Sequence, residues 1–134
     1  MLNYLGYSLV ERGEKLDEAL QMIEVAAEAR PDSGAIIDSL GWVYFQLGRY
    51  QDAVVQLERA ASLLPVDPVI NDHLGDAFWA VGRTTEAHFQ WERALSFEPD
   101  EDTGARIRDK LARGLDLVLI DEGLQPTQVA RDDG

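Results

Sequence analysis

Three prolines set the frame for this chain: Pro31, Pro65 and Pro99 stand 34 residues apart. Ala19, Ala53 and Ala87 keep the same interval, as do Ala26, Ala60 and Ala94. The pairs Leu5-Gly6, Leu40-Gly41 and Leu74-Gly75 follow at 35 and then 34 residues; the extra residue falls in the first turn, where RGEKLDEA is longer by one than LGRYQDA. Four registers held together mark an internal repeat. A period of this length restricts the fold to stacked supersecondary units that bury their apolar faces against one another.

Each unit reads as two amphipathic helices. In the second unit Ile37, Leu40, Tyr44 and Leu47 recur at helical spacing and are expected along one core stripe. Gly48 then supplies a C-cap at which positive φ costs little. The second helix carries Val54, Leu57, Ala61 and Leu64 at similar intervals and stops at Pro65. Asp67-Pro68 restarts the chain as an aspartate N-cap followed by proline at the first helical position. Gly41 and Gly75 lie inside helices, where glycine costs about 1 kcal/mol against alanine, so a close approach of the partner helix is expected at both.

With Leu40, Gly41, Tyr44, Gly48, Ala53, Leu57, Ala60 and Pro65, the second unit resembles the tetratricopeptide repeat. The third unit repeats the pattern with Leu74, Gly75, Phe78, Gly82, Ala87, Trp91, Ala94 and Pro99, and the first with Leu5, Gly6, Leu9, Gly13, Ala19, Ile23, Ala26 and Pro31. The resemblance implies an all-α superhelix, or solenoid, of three helix-turn-helix units at 1–33, 34–67 and 68–101. Beyond Pro99 the pattern fails, because one period after Leu74-Gly75 stands Arg108-Asp109. Ile107, Leu111 and Leu115 still make one apolar stripe, which predicts a capping helix over 102–115 started by Asp102 or Thr103. Residues 116–134 are expected as a partly docked segment, with a frayed acidic tail from Pro126. The first helix, with Leu2, Tyr4, Leu5 and Leu9, begins in mid-pattern without a polar cap. It offers a surface for self-association or for upstream repeats, as in the C-terminal part of a longer bacterial protein of this family.

Twelve basic residues against 25 acidic ones give a net charge of −13. Phosphate backbones and anionic membranes call for the opposite sign, so a nucleic-acid partner is disfavoured. No apolar run approaches the roughly 20 residues of a membrane span, and MLNYLGYSLVERGEKL lacks the basic and apolar regions of a signal peptide. Direct membrane insertion is not expected. The compartment stays open: cytoplasmic, or periplasmic if the full-length protein is exported. Without cysteine the chain has no disulfide, thiolate metal site or cysteine nucleophile.

No convergent catalytic set appears, so the chain is not expected to be an enzyme or to need a cofactor. Asp72, His73 and Asp76 are the nearest thing to a metal or enzyme site, since Asp72 and Asp76 share a helix face at i, i+4. The alternative is a solvated acidic face. His88 lacks a second histidine at the spacing of a helical zinc site. The carboxylates Glu11, Glu14, Asp17 and Glu18 flank an exposed turn where nothing raises a pKa.

The family resemblance implies that first helices line a concave, ligand-binding groove. It places Tyr7, Asp38, Trp42, Phe45, Asp72, His73, Asp76 and Trp79 on that side. Trp42 lies two residues, about 200° of helix, from Leu40, and Phe45 follows it by three. An apolar centre of Tyr7, Trp42, Phe45 and Trp79 with an acidic rim suits a protein or peptide segment bearing apolar anchors and basic residues. Trp42 can equally pack between repeats, whereas Trp79 is expected at least half exposed. Phe89 and Trp91, on a second helix, read as core or inter-repeat packing. Family members that grip acidic chaperone tails do so with Lys, Asn and Arg. Here the matching positions hold Asn3, Tyr7, Ser39, Val69 and His73, so such tails are disfavoured as partners.

Overall fold

The computed structural model describes residues 15–127, and seven helices lie among them. The helices are α1 (Leu16–Ala29), α2 (Gly34–Gln46), α3 (Tyr50–Leu63), α4 (Pro68–Ala80), α5 (Thr84–Ser96), α6 (Glu101–Arg113) and α7 (Leu115–Asp121). The chain divides into two compact units, Met1–Pro65 and Val66–Gly134. Tyr7 and the first-helix apolar residues fall outside the described segment.

In the first unit α2 packs against both α1 and α3. Ser33 caps α2 by accepting the amide hydrogen of Ile36 at 3.3 Å, and Gly48 leaves the helix at φ +79°. Gly41 permits the close approach expected of it, since a Cβ there would stand 2.6 Å from Leu57 Cγ. Because α2 is packed on two sides, its buried residues are not confined to one stripe: Ile37, Leu40, Val43 and Phe45 are all covered. Tyr44 and Leu47, expected in the core, are only partly buried. The Tyr44 hydroxyl reaches Glu24 at 3.4 Å, and Arg49 lies over its ring. Leu64 is exposed as well, because α3 ends at Leu63.

In the second unit Asp67 caps α4 by accepting from the amides of Val69 and Ile70 at 2.9 and 3.0 Å, with Pro68 opening the helix. A Cβ on Gly75 would strike the indole of Trp91, which is fully buried on α5 together with Ala87 and Ala94. Phe89, expected in the core or in inter-repeat packing, is 56% exposed. Two residues before Trp91 is about 200° around the helix, so burying Trp91 turns Phe89 outward. Asp100 caps α6, not Asp102 or Thr103, and accepts from Thr103 N and Oγ1 at 2.8 and 3.1 Å. Those hydrogen bonds hold its carboxyl below the ordinary range. Gly114, at φ +88°, ends α6, so Leu115 opens α7 instead of closing the capping helix.

Candidate partner-binding site

On α2 the residues Asp38, Trp42 and Phe45 follow one another at i, i+4 and i+7, the spacing of a single helix face. The rings of Trp42 and Phe45 stack with centroids 4.8 Å apart and planes within 3°. Tyr50, at the start of α3, lies 5.2 Å from Phe45 on a tilted approach. Phe45 is buried in this contact, contrary to its expected place in an open groove, while Trp42 and Asp38 keep partial exposure. The aromatic pair therefore has a covered base and a partly accessible top.

The equivalent face of α4 is occupied from within its own unit. Lys110 on α6 donates from Nζ to Asp72 Oδ1 at 2.7 Å and to Asp76 Oδ1 at 2.8 Å. Its side chain is inaccessible to solvent, and Asp72 and Asp76 are only 7% and 2% exposed. Trp91 adds an indole N–H to Asp76 Oδ1 at 3.1 Å, and the ammonium lies 5.8 Å from the Trp91 ring centroid. The expectation of a solvated acidic rim at Asp72 and Asp76 is thus corrected: both carboxylates point at a buried ammonium. That ammonium also stands where a cation between Asp72 and Asp76 would have been.

Two carboxylates facing one lysine leave an excess of negative charge in a low-dielectric setting. Burial, then repulsion from Asp76, raises the Asp72 pKa, and Lys110 offsets this only in part. Arg106 adds positive charge nearby, and its own hydrogen bonds to Glu122, 2.7 and 2.8 Å, hold the Glu122 carboxyl below its ordinary range.

Trp79 is corrected too. It is less than half exposed, and Gly114 sits against its ring so closely that a Cβ would come within 2.6 Å of Cη2. Its indole N–H donates to Asp116 Oδ1 at 3.2 Å. The same oxygen accepts from Thr127 N at 2.9 Å and Thr127 Oγ1 at 2.7 Å. Thr127, expected in a frayed tail, is consequently buried. His73 is partly buried beside Asp72. Among the described residues no cluster of three or more His, Cys, Asp or Glu could hold a metal ion, and no helix is long and apolar enough to cross a membrane.

The sequence reading overlooked Lys110, Asp116 and Thr127. A signal for the first existed: Lys110 stands 34 residues after Asp76, one full period, at the equivalent position of the next first-type helix. Nothing comparable marks Asp116, which meets Trp79 from 37 residues away and outside the repeat register, or Thr127, which bonds to Asp116.

Comparison with known proteins places these helix pairs. The tetratricopeptide-repeat profile matches residues 34–63, which are α2 and α3. Residues 34–63 thus carry a tetratricopeptide repeat. A TPR repeat-containing protein of Pseudomonas aeruginosa is 42% identical over 52 residues, which is 39% of this chain but only 9% of that protein. Among solved structures, PcrH in complex with the chaperone binding region of PopD superposes with a TM-score of 0.75 at 20% identity, over 90% of each chain. The first TPR domain of human RPAP3 gives 0.73 at 24% identity, over 87% of this chain and 91% of that one. A structure of the first TPR of Spaghetti (RPAP3) bound to an HSP90 peptide gives 0.70 at 24% identity, over 81% and 86%. These likenesses show an all-α helical-repeat fold.

Proposed function

We propose that the chain is a non-catalytic scaffold that binds a protein or peptide segment through the Asp38–Trp42–Phe45 face of α2. The observation that carries this reading is the Trp42–Phe45 stack, a rigid aromatic pair with its base buried and Trp42 partly accessible. Aromatic residues held in this way are the usual anchors of binding energy at interfaces. Asp38, one turn before Trp42, and the net charge of −13 favour a segment that combines an apolar anchor with Lys or Arg. The reading is supported by fold relatives whose solved forms include a bound peptide in one case and the chaperone binding region of another protein in another. An acidic tail like the HSP90 peptide SRMEEVD is disfavoured for this chain, because the positions matching a cationic clamp include Ser39, Val69 and His73.

The test uses a fluorescein-labelled decapeptide of alternating Lys and Leu, with an alternating Glu and Leu peptide as control. The basic peptide is expected to bind preferentially. Trp42→Ala is expected to weaken it about tenfold or more, the effect of an interface anchor, with the circular dichroism spectrum and melting temperature little changed. Equal binding of the two peptides, or binding indifferent to Trp42, would overturn the reading.

A further inference from the structure

α7 is apolar on both sides. Leu115, Val118 and Leu119 are buried, while Leu117 and Ile120, three residues apart on the outer side, are 49% and 51% exposed. Leu124, also exposed, stands at the end of the helix. There Gly123, at φ +78°, turns the chain, and the Leu124 amide donates to the Leu119 carbonyl at 2.9 Å. A helix that is apolar all round is ordinarily covered all round. We propose that the outer side of α7 docks the apolar stripe of an amphipathic helix from another protein, one with uncharged polar flanks.

The electrostatics of the arm choose this occupant. Its carboxylates already have donors within the chain: Asp116 accepts from Trp79 and Thr127, Asp121 from Arg113 at 2.6 Å, and Glu122 from Arg106 at 2.7 and 2.8 Å. A segment bearing Lys or Arg would have to displace those donors, whereas an apolar stripe with neutral flanks disturbs none of them. The same contacts, with the three buried side chains, hold α7 in place, so its outer side is presented preformed and little ordering is required on binding. A second copy fits less well. It would set one net charge of −13 against another, and a few half-exposed side chains fall short of the roughly 800 Å² that each partner of a stable dimer buries. Strand addition needs a sheet edge, and the elements among the described residues are all helices. An amphipathic helix instead engages through a few anchors at helical spacing, which Leu117 and Ile120 match.

The test uses the full chain and a fluorescein-labelled, helix-stapled peptide of Leu, Ala and Gln whose leucines recur at i, i+3 and i+7. A scrambled peptide of the same composition is the control. The patterned peptide is expected to bind preferentially, and Ile120→Gln is expected to weaken it about tenfold. Ile120 is exposed, so the circular dichroism spectrum and melting temperature are expected to change little. Leu117→Gln gives a second, independent reading. With the arm's carboxylates engaged, raising NaCl from about 0.05 to 0.5 M is expected to leave the affinity unchanged. Trp42→Ala is expected to leave it unchanged as well, which separates this surface from the α2 face. Equal binding of the two peptides, or binding indifferent to both Ile120 and Leu117, would overturn the proposal. A loss on Trp42→Ala alone would place the peptide on α2 and overturn it also. Light scattering reads the remaining occupant: a dimer that Ile120→Gln dissolves would assign the stripe to a second copy and overturn the proposed partner.

Discussion

Lys110 and Asp76 take equivalent positions one repeat period apart, and their side chains meet at 2.8 Å, with exposures of 0% and 2%. Within the second unit α4 and α6 bring these two residues of one register together. A carboxylate written into one period and a lysine into the next become an ion pair sealed between helices.

Lys110→Met tests how much the second unit depends on that seal. The variant keeps the length and apolar stem of lysine but leaves Asp72 and Asp76 buried without their common donor. Breaking a buried pair by removing one partner costs about 3–5 kcal/mol, most of it the desolvation of the remaining charge. Urea unfolding is expected to show a loss of that size. The triple variant Lys110→Met, Asp72→Asn, Asp76→Asn is expected to recover much of it, because no charge is then left uncompensated.

Asp72 offers a pH-dependent test of the same cluster. Burial and the neighbouring Asp76 raise the folded-state pKa of Asp72 above its ordinary 3.8. A carboxyl raised in this way contributes stability while protonated, and that contribution is withdrawn as pH climbs from the unfolded value through the raised folded one. Asn imitates the protonated form and still accepts from Lys110. Asp72→Asn is therefore expected to be no less stable than the unaltered chain at pH 8, with its relative advantage shrinking toward pH 4. Glu122 runs the other way: Arg106 lowers its pKa, so its contribution is present above about 4.5 and lost as pH falls through the depressed value. The Glu122→Gln background removes this opposing trend from unfolding curves taken between pH 4 and pH 8.

Much of this architecture was legible from spacing. Leu40, Gly41, Leu74 and Gly75 named the helix contacts, and Gly48 and the Asp67-Pro68 pair marked where helices stop and start. Periodicity reports which residues share a face, but not what covers that face. Asp72, Asp76 and Trp79 share the face expected of them, yet Lys110 and Asp116 arrive from 34 to 38 residues away to cover it. Tyr44 and Phe45 exchanged their expected burial for a related reason, since a helix packed on two sides has no single inner stripe.

Phe89 and Trp91 differ sharply in burial on one helix. Trp91 is sealed and hydrogen-bonded to Asp76, whereas Phe89 faces outward with Arg93 5.8 Å from its ring centroid. Trp91→Ala is expected to cost about 3–5 kcal/mol as a core deletion. Phe89→Lys is expected to stay within about 0.5 kcal/mol, as surface changes do. Thermal melts of the two variants, read by circular dichroism, check both values.

Gly75 and Gly104 separate helix propensity from helix contact. Alanine gains about 1 kcal/mol over glycine inside a helix. At Gly104 the atoms nearest a new Cβ are 3.6 Å or more away, so Gly104→Ala is expected to keep most of that gain. At Gly75 the new Cβ would overlap the Trp91 indole, which is fully buried and tethered through its N–H to Asp76 and so has no free direction in which to retreat. Overpacking a rigid core neighbour costs about 1–3 kcal/mol, occasionally more. The tether puts Gly75→Ala at the upper end of that range, for an expected net loss of about 1–2 kcal/mol. Urea midpoints should move in opposite directions for the two substitutions. A stabilised Gly75→Ala would mean that Trp91 can shift and that the glycine is not required by the contact.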